Sequence, residues 1–136
     1  MERIRQKVAR IRENLALIHS IQDNYVERFQ NDPIYRGALL HYLYLLSDGC
    51  IVLAELVIKR KDLRLPQSYA EAFEILGDNG VLKPAFASDF ARIAGFRNFL
   101  AHDYERLEGG IICGQVLGKI NDVDEYLRQI EEAIEF

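Results

Sequence analysis

The sequence is poor in the residues that mark disulfide-bonded proteins and irregular folds. It contains two cysteines, three prolines and no tryptophan among 136 residues. Cys50 and Cys113 lie far apart in apolar surroundings and match neither a CxxC nor a Cys/His metal-ligand spacing. We therefore predict two buried thiols in a reducing compartment and no metal site. The scarcity of proline leaves room for long helices.

The chain also lacks a long uninterrupted apolar run. Its N-terminus is charged from the second residue and has no apolar signal-peptide segment. The most apolar stretch, residues 34–58, is interrupted by Arg36, His41, Asp48 and Glu55. These polar side chains argue against a membrane span, so we predict a cytoplasmic protein with no membrane partner.

An excess of positive charge is missing as well. The chain has 17 Lys and Arg against 21 Asp and Glu, a formal net charge of −4. This balance excludes broad, charge-driven coating of nucleic acid but allows a local basic site. With 49% hydrophobic and 28% charged residues, the composition is that of a folded domain. We predict one domain over residues 1–136 that folds without metal or disulfides.

Helical periodicity runs nearly throughout the chain. An apolar stripe from Ile4 to Phe29 predicts one amphipathic helix of about 28 residues. Asp32 suits the N-cap and Pro33 the first position of a second helix that reaches about Arg60. Because this second helix is apolar almost all round, we expect it to be central in the fold or buried by a second chain.

Three further helices are predicted in the second half of the chain. Ser68 and Glu71 have the spacing of a capping box at the start of a short helix, which ends at a Gly-Asp-Asn-Gly turn. The next helix starts at Pro84 and ends near Leu100. A Gly-Gly pair at 109–110 separates it from a last helix with a heptad-like apolar seam. The predicted fold is an all-α, up-and-down helical bundle with one short additional helix.

One segment places polar side chains at the end of an otherwise apolar helix: Arg97, Asn98, His102, Asp103 and Tyr104. An imidazole exchanges protons at cellular pH, and a guanidinium offers phosphate a fixed fork of donors. Arg97 and His102 lie roughly 140° apart around a straight helix. The helix must therefore bend or end near His102, or a second chain must complete the site. Asn98 and His102 are four residues apart and can touch directly.

Three other polar residues of the apolar helices are weaker candidates. His19 borders the stripe of the first helix and His41 lies in the second, each without an acid–base partner nearby in sequence. Asp48 lies in the middle of the second helix, where a buried carboxylate needs a partner. It either makes a structural hydrogen bond or orients Arg97 or His102.

The polar segment matches the R-x(4–6)-H-x-Y signature of HEPN domains through Arg97, His102 and Tyr104. The chain resembles the HepT toxins of this class from about residue 30 to its C-terminus. Beyond the signature, the resemblance rests on LPQSY at 65–69, AF at 72–73, GVL at 80–82 and the run GFRNFLAHDY at 95–104.

The resemblance implies a metal-independent endoribonuclease toxin that needs no cofactor and acts as a homodimer with two signature segments at a shared cleft. RNA supplies its own 2′-OH nucleophile, so Arg97, His102 and Tyr104 are the implied catalytic residues, supported by Asn98 and Asp48. The implied partner is an MntA-like nucleotidyltransferase antitoxin. In such pairs the antitoxin adds AMP to the signature tyrosine, here Tyr104.

Two other functions stay open from the sequence. The first is a non-catalytic helical module that binds a minimal nucleotidyltransferase and uses the signature only for contact. The second is a helical scaffold dimer, which leaves the polar segment unexplained. The complete set of Arg97, His102 and Tyr104 favours the enzyme, and a neighbouring reading frame for a nucleotidyltransferase would identify the partner.

Overall fold

The structure, a computed structural model, describes residues 1–102 and 109–134, without the side chains of 109–113. Within these residues the chain forms eight α-helices and no strand, which confirms the predicted all-α class. The helices are α1 (Glu2–Ile21), α2 (Tyr25–Asn31), α3 (Pro33–Arg60), α4 (Tyr69–Asp78), α5 (Pro84–Phe90), α6 (Ile93–His102), α7 (Gly109–Gly118) and α8 (Ile120–Ile134).

The boundaries of α3 agree with the prediction. Pro33 occupies the first turn, and the Asp32 carboxylate accepts hydrogen bonds from the backbone amides of Ile34 and Tyr35 at 3.1 Å each. These bonds satisfy amides that have no partner inside the helix, and proline presets the helical φ angle. From this start the helix continues for 28 residues to Arg60.

The predicted start and end of α4 are also found. Ser68 Oγ accepts the Glu71 amide at 3.1 Å. The Glu71 carboxylate accepts the amide of Gln67, one residue before the N-cap, at 2.7 Å. The second bond of the predicted capping box is therefore displaced by one residue. After Asp78 the chain turns through Gly80 at a φ of 75°, a conformation that glycine adopts without steric penalty.

The prediction of a single long first helix is wrong. Helix α1 ends at Ile21, and Asn24 then adopts the left-handed conformation with a φ of 58°. Asparagine tolerates this conformation better than most residues with a Cβ. The Ile21 carbonyl accepts the Tyr35 hydroxyl of α3, so a side chain takes the place of a helical partner. Apolar spacing continues across the break from Ile21 to Tyr25, which is why the periodicity did not reveal it.

The single helix predicted from Pro84 to near Leu100 is also divided, at Ala91 and Arg92. Around this point the Arg92 amide donates to the Asp89 carbonyl at 3.3 Å and the Ala94 amide to the Ala91 carbonyl at 3.1 Å. Bonds that span three residues form a tighter turn than α-helical bonds do. The chain therefore starts α6 anew at Ile93 and brings this helix against α3.

The last predicted helix is interrupted at Lys119, whose amide donates to the Val116 carbonyl at 3.0 Å. The described part of α7 includes Gly109, so the Gly-Gly pair that we expected to separate helices belongs to a helix. The predicted apolar seam is nevertheless buried, through Val116, Ile120, Val123, Leu127 and Ile130.

Helix α3 is central, as predicted, and packs against α1, α6 and α4. By length and composition it would pass as a membrane span, but 56% of its most apolar window is buried inside the protein, as in a core helix. Cys50 is fully buried, and burial raises the pKa of its thiol. Its carbonyl accepts the buried Tyr126 hydroxyl at 2.8 Å. The side chain of Cys113 lies outside the described residues.

Candidate active site

The N-terminal half of α3 and the C-terminal end of α6 line an open hollow of about 540 Å³. This volume falls in the range of ligand pockets, about 300–1,000 Å³. The residues that line it are Gly37, Leu40, His41 and Tyr44 from α3, and Arg97, Leu100, Ala101 and His102 from α6. Because α6 packs on α3, Arg97 and His102 of the predicted polar segment lie beside two polar side chains of the apolar helix, His41 and Tyr44.

Arg97 is held by side chains on three sides. Its Nε donates to Asp48 Oδ1 at 3.1 Å, Nη1 to Asn98 Oδ1 at 3.4 Å and Nη2 to the Tyr44 hydroxyl at 3.4 Å. Each terminal nitrogen carries a second N–H, so the guanidinium keeps donor capacity for a phosphate. The partner that we expected the Asp48 carboxylate to need is therefore Arg97.

Two tyrosine rings flank the same guanidinium. Arg97 Cζ lies 5.4 Å from the ring centroid of Tyr44 and 5.1 Å from that of Tyr69, the first residue of α4. Both distances are within the range of cation–π attraction. Tyr69 had no role in the prediction except in the resemblance, because its partner is distant in sequence.

The electrostatic balance keeps Arg97 charged. The Arg97 side chain is only 16% exposed, and burial alone would lower its pKa. The hydrogen bond from Arg97 to Asp48, and the electrostatic attraction of Asp48, Tyr44 and Tyr69, outweigh burial and raise the pKa of Arg97. A positioned, permanently protonated guanidinium is suited to bind a phosphate and to stabilise negative charge that develops on it.

His102 is the last residue of α6 and is exposed in the hollow. The described part of the helix extends to this residue, and the prediction that the helix bends or ends near it stays a prediction. The Asn98 side chain, which we expected to be able to touch His102, bonds Arg97. Asp103 and Tyr104 lie outside the described residues.

His41, one of the weak candidates from the sequence, lies in the hollow. It is exposed on α3 and lines the same hollow as Arg97 and His102. A signal was available, because Gly37, His41, Tyr44 and Asp48 follow each other at spacings of four, three and four and so share one face of α3. His19, the other weak candidate, is exposed on α1, outside the residues that line the hollow.

Within the part of the chain that the structure describes, no three His, Cys, Asp or Glu side chains converge as a metal site would require.

Solved structures show that the bundle has the HEPN fold. A toxin–antitoxin complex with AMP-PNP matches with a TM-score of 0.86 at 21% identity, over 97% of this chain and 99% of that one. A tri-AMPylated Shewanella oneidensis HEPN toxin in complex with its MNT antitoxin matches with a TM-score of 0.83 at 22% identity, over 95% and 96% of the two chains. YutE of Bacillus subtilis, a cytosolic protein of unknown function, matches with 0.85 at 19% identity, over 98% and 90%.

Within this class the chain belongs to the ribonuclease HepT-like family, whose model matches residues 11–130. A curated relative, the mRNA nuclease HepT of Shewanella oneidensis, is 24% identical over 116 residues, which are 84% of this chain and 87% of the relative. Family and relative together support endoribonuclease activity of the toxin–antitoxin kind.

Proposed function

We propose that this protein is a cytoplasmic toxin that cleaves RNA without a metal ion in the hollow between α3 and α6. The observation that carries the proposal is Arg97, fixed by Asp48 at 3.1 Å, in the same hollow as the exposed His102. A phosphate-binding cation and a proton-transfer group are the two functions that RNA cleavage by its own 2′-OH requires. The cytosolic description of YutE supports the location.

In the proposed reaction the 2′-oxygen attacks the adjacent phosphorus while its proton passes to a base. The bond from phosphorus to the 5′-oxygen breaks, and the leaving oxygen takes up a proton. The products are a 2′,3′-cyclic phosphate and a 5′-hydroxyl. Arg97 binds the non-bridging oxygens, His102 transfers a proton, and Tyr104 binds the phosphate or holds His102 in place.

Asp48 and Asn98 are positioning residues in this proposal. Both accept hydrogen bonds from Arg97, at 3.1 and 3.4 Å, and so restrict where its guanidinium can lie. A restricted guanidinium loses little conformational freedom when the phosphate binds, which favours the transition state.

The proposed assembly is a homodimer whose two hollows face a shared cleft, together with an MntA-like nucleotidyltransferase. Half-buried Leu45, Val52 and Leu56 of α3 line a second groove and offer apolar surface to another chain. The Shewanella oneidensis HEPN toxin in complex with its MNT antitoxin supports the kind of partner.

We further propose that this partner silences the enzyme by placing AMP on Tyr104. The Shewanella oneidensis toxin is tri-AMPylated, and Tyr104 follows His102 by two residues. The added phosphodiester carries about one negative charge, less than a phosphomonoester, and would compete with RNA for Arg97. The adenosine would fill space that the substrate needs.

Cleavage of a labelled RNA in EDTA tests the proposed function. We expect the wild type to cleave, and Arg97→Ala and His102→Ala to lose at least about 100-fold in rate, in the range of a lost proton-transfer or charge-stabilising group. Lys61→Ala, at the far end of α3, is the matched control and should cleave normally. Cleavage that needs a divalent ion, or that persists at the wild-type rate in either site variant, would contradict the proposal.

A further inference from the structure

The hollow contains a second imidazole, that of His41, which the sequence pattern does not connect with the signature. His41 belongs to α3 and His102 ends α6, yet both line the hollow together with Arg97. The His41 ring packs in a tilted orientation beside the ring of Tyr42, with ring centroids 5.5 Å apart and an angle of 59° between the planes. A cation and two imidazoles from two helices thus surround one space.

We propose that His41 is the second proton-transfer residue of this site and works with His102 on opposite sides of the phosphate. The inference rests on the proposed ribonuclease function. RNA cleavage through the 2′-OH moves two protons: one leaves the 2′-oxygen as it attacks, and one reaches the 5′-oxygen as it departs. Within the hollow of one protomer, His102 alone would have to do both in turn, whereas His102 and His41 do them together.

The proton balance is complete with these two residues. One imidazole starts neutral and takes the proton of the 2′-OH, while the other starts protonated and gives its proton to the leaving 5′-oxygen. The bond between phosphorus and the 2′-oxygen forms as the bond to the 5′-oxygen breaks. Afterwards the two imidazoles have exchanged protonation states, and water restores them.

The surroundings of His41 suit this role. Among the described residues, the titratable or charged side chains that line the hollow with it are Tyr44 from its own helix, and Arg97 and His102 from α6. Asp48 joins them through its bond to Arg97 and offsets the charge of the guanidinium. Next to His41 on the same face, Gly37 has no atom within 4 Å of where a Cβ would lie, which leaves room for a substrate.

The test is the pH dependence of kcat/KM for a short RNA. We expect a bell-shaped profile for the wild type, because one histidine must be neutral and the other protonated. His41→Gln and His41→Ala should each lose one limb of the bell and about 100-fold or more in rate, while RNA affinity changes little. His19→Ala removes an exposed imidazole outside the hollow and should keep the wild-type profile. Because the His41 side chain is exposed, the unfolding temperatures of both His41 variants should equal that of the wild type.

A substrate with sulfur as the 5′ leaving atom assigns the roles, since a thiolate leaves without a proton. We expect this substrate to restore cleavage at least about tenfold in only one of His41→Ala and His102→Ala, the one that lacks the acid. If His102→Ala is inactive but both His41 variants keep the full bell, the inference fails and the proposed ribonuclease function stands. If His102→Ala cleaves like the wild type, the proposed function itself fails.

Discussion

At the residue scale, Arg97 depends on Asp48 for its position. The bond joins α6 to α3 across 49 residues of sequence, and the Asp48 side chain is 35% exposed. We expect Asp48→Asn to lower kcat/KM by about tenfold, since a charge-assisted hydrogen bond contributes about 1.5–3 kcal/mol and solvent screens part of it. The loss should fall mainly on kcat, and Asp48→Glu should restore part of it.

The matched control is Asp89→Asn on α5, which removes the same charge from an exposed ion pair with Lys119 at 2.9 Å. This variant should cleave RNA at the wild-type rate. Equal cleavage rates for Asp48→Asn and the wild type would contradict the claim that Asp48 positions Arg97.

The sequence predicted part of this site and missed the part that tertiary packing creates. Arg97 and His102 lie on one short helix, so the resemblance to the signature could be read directly from the sequence. Asp48 was recognised as a carboxylate in need of a partner, but the partner is 49 residues away. His41 was discounted because no acid–base partner is near it in sequence, and the guanidinium and the other imidazole of the hollow come from another helix.

At the element scale, apolar periodicity located the helices but not their interruptions. The stripe continues through the breaks at Asn24, at Ala91 and at Lys119, because a single tight turn hardly changes which side chains face the core. Boundaries with a chemical cap, such as Asp32 before Pro33, were predicted correctly. Caps act through adjacent residues, whereas these breaks depend on packing against other helices.

The close approach of α4 and α5 makes a prediction at this scale. A Cβ on Gly77 would lie 2.8 Å from the Ala87 Cβ, too close for any real contact. We expect Gly77→Ala to lower the free energy of unfolding by about 1–3 kcal/mol, the usual effect of overpacking. Gly118→Ala, where no atom lies within 4 Å, should leave stability unchanged or slightly higher. Urea denaturation measures the free energy of unfolding of both variants. A Gly77→Ala variant as stable as Gly118→Ala would contradict the close packing of α4 and α5.

At the scale of the whole molecule, we expect a stable homodimer. The half-buried apolar side chains of α3 along the groove with α1 leave surface that a second chain can cover. Light scattering at micromolar concentration should give twice the chain mass of 15.7 kDa. A monomer at that concentration would contradict the shared cleft.

Control by the antitoxin is a second prediction for the assembled molecule. After co-expression with an MntA-like nucleotidyltransferase, the intact mass of the protein should rise by one or more AMP units, and peptide mapping should place them on Tyr104. The modified protein should stay folded and dimeric but cleave no RNA, because the charge of the added AMP competes with the substrate for Arg97 and its bulk fills space that the substrate needs. Tyr104→Phe should escape modification. AMP on another residue, or modified protein that cleaves normally, would refute this control.

The chemical nature of the cleaved ends tests the central claim most directly. An attack by the 2′-OH, helped by Arg97 and His102, must leave a 2′,3′-cyclic phosphate on one fragment and a 5′-hydroxyl on the other. Mass spectrometry of a short RNA cleaved by the wild type in EDTA reads both ends at once. We predict the cyclic phosphate and the 5′-hydroxyl; a 3′-hydroxyl with a 5′-phosphate would mean that water is the nucleophile and would contradict the account.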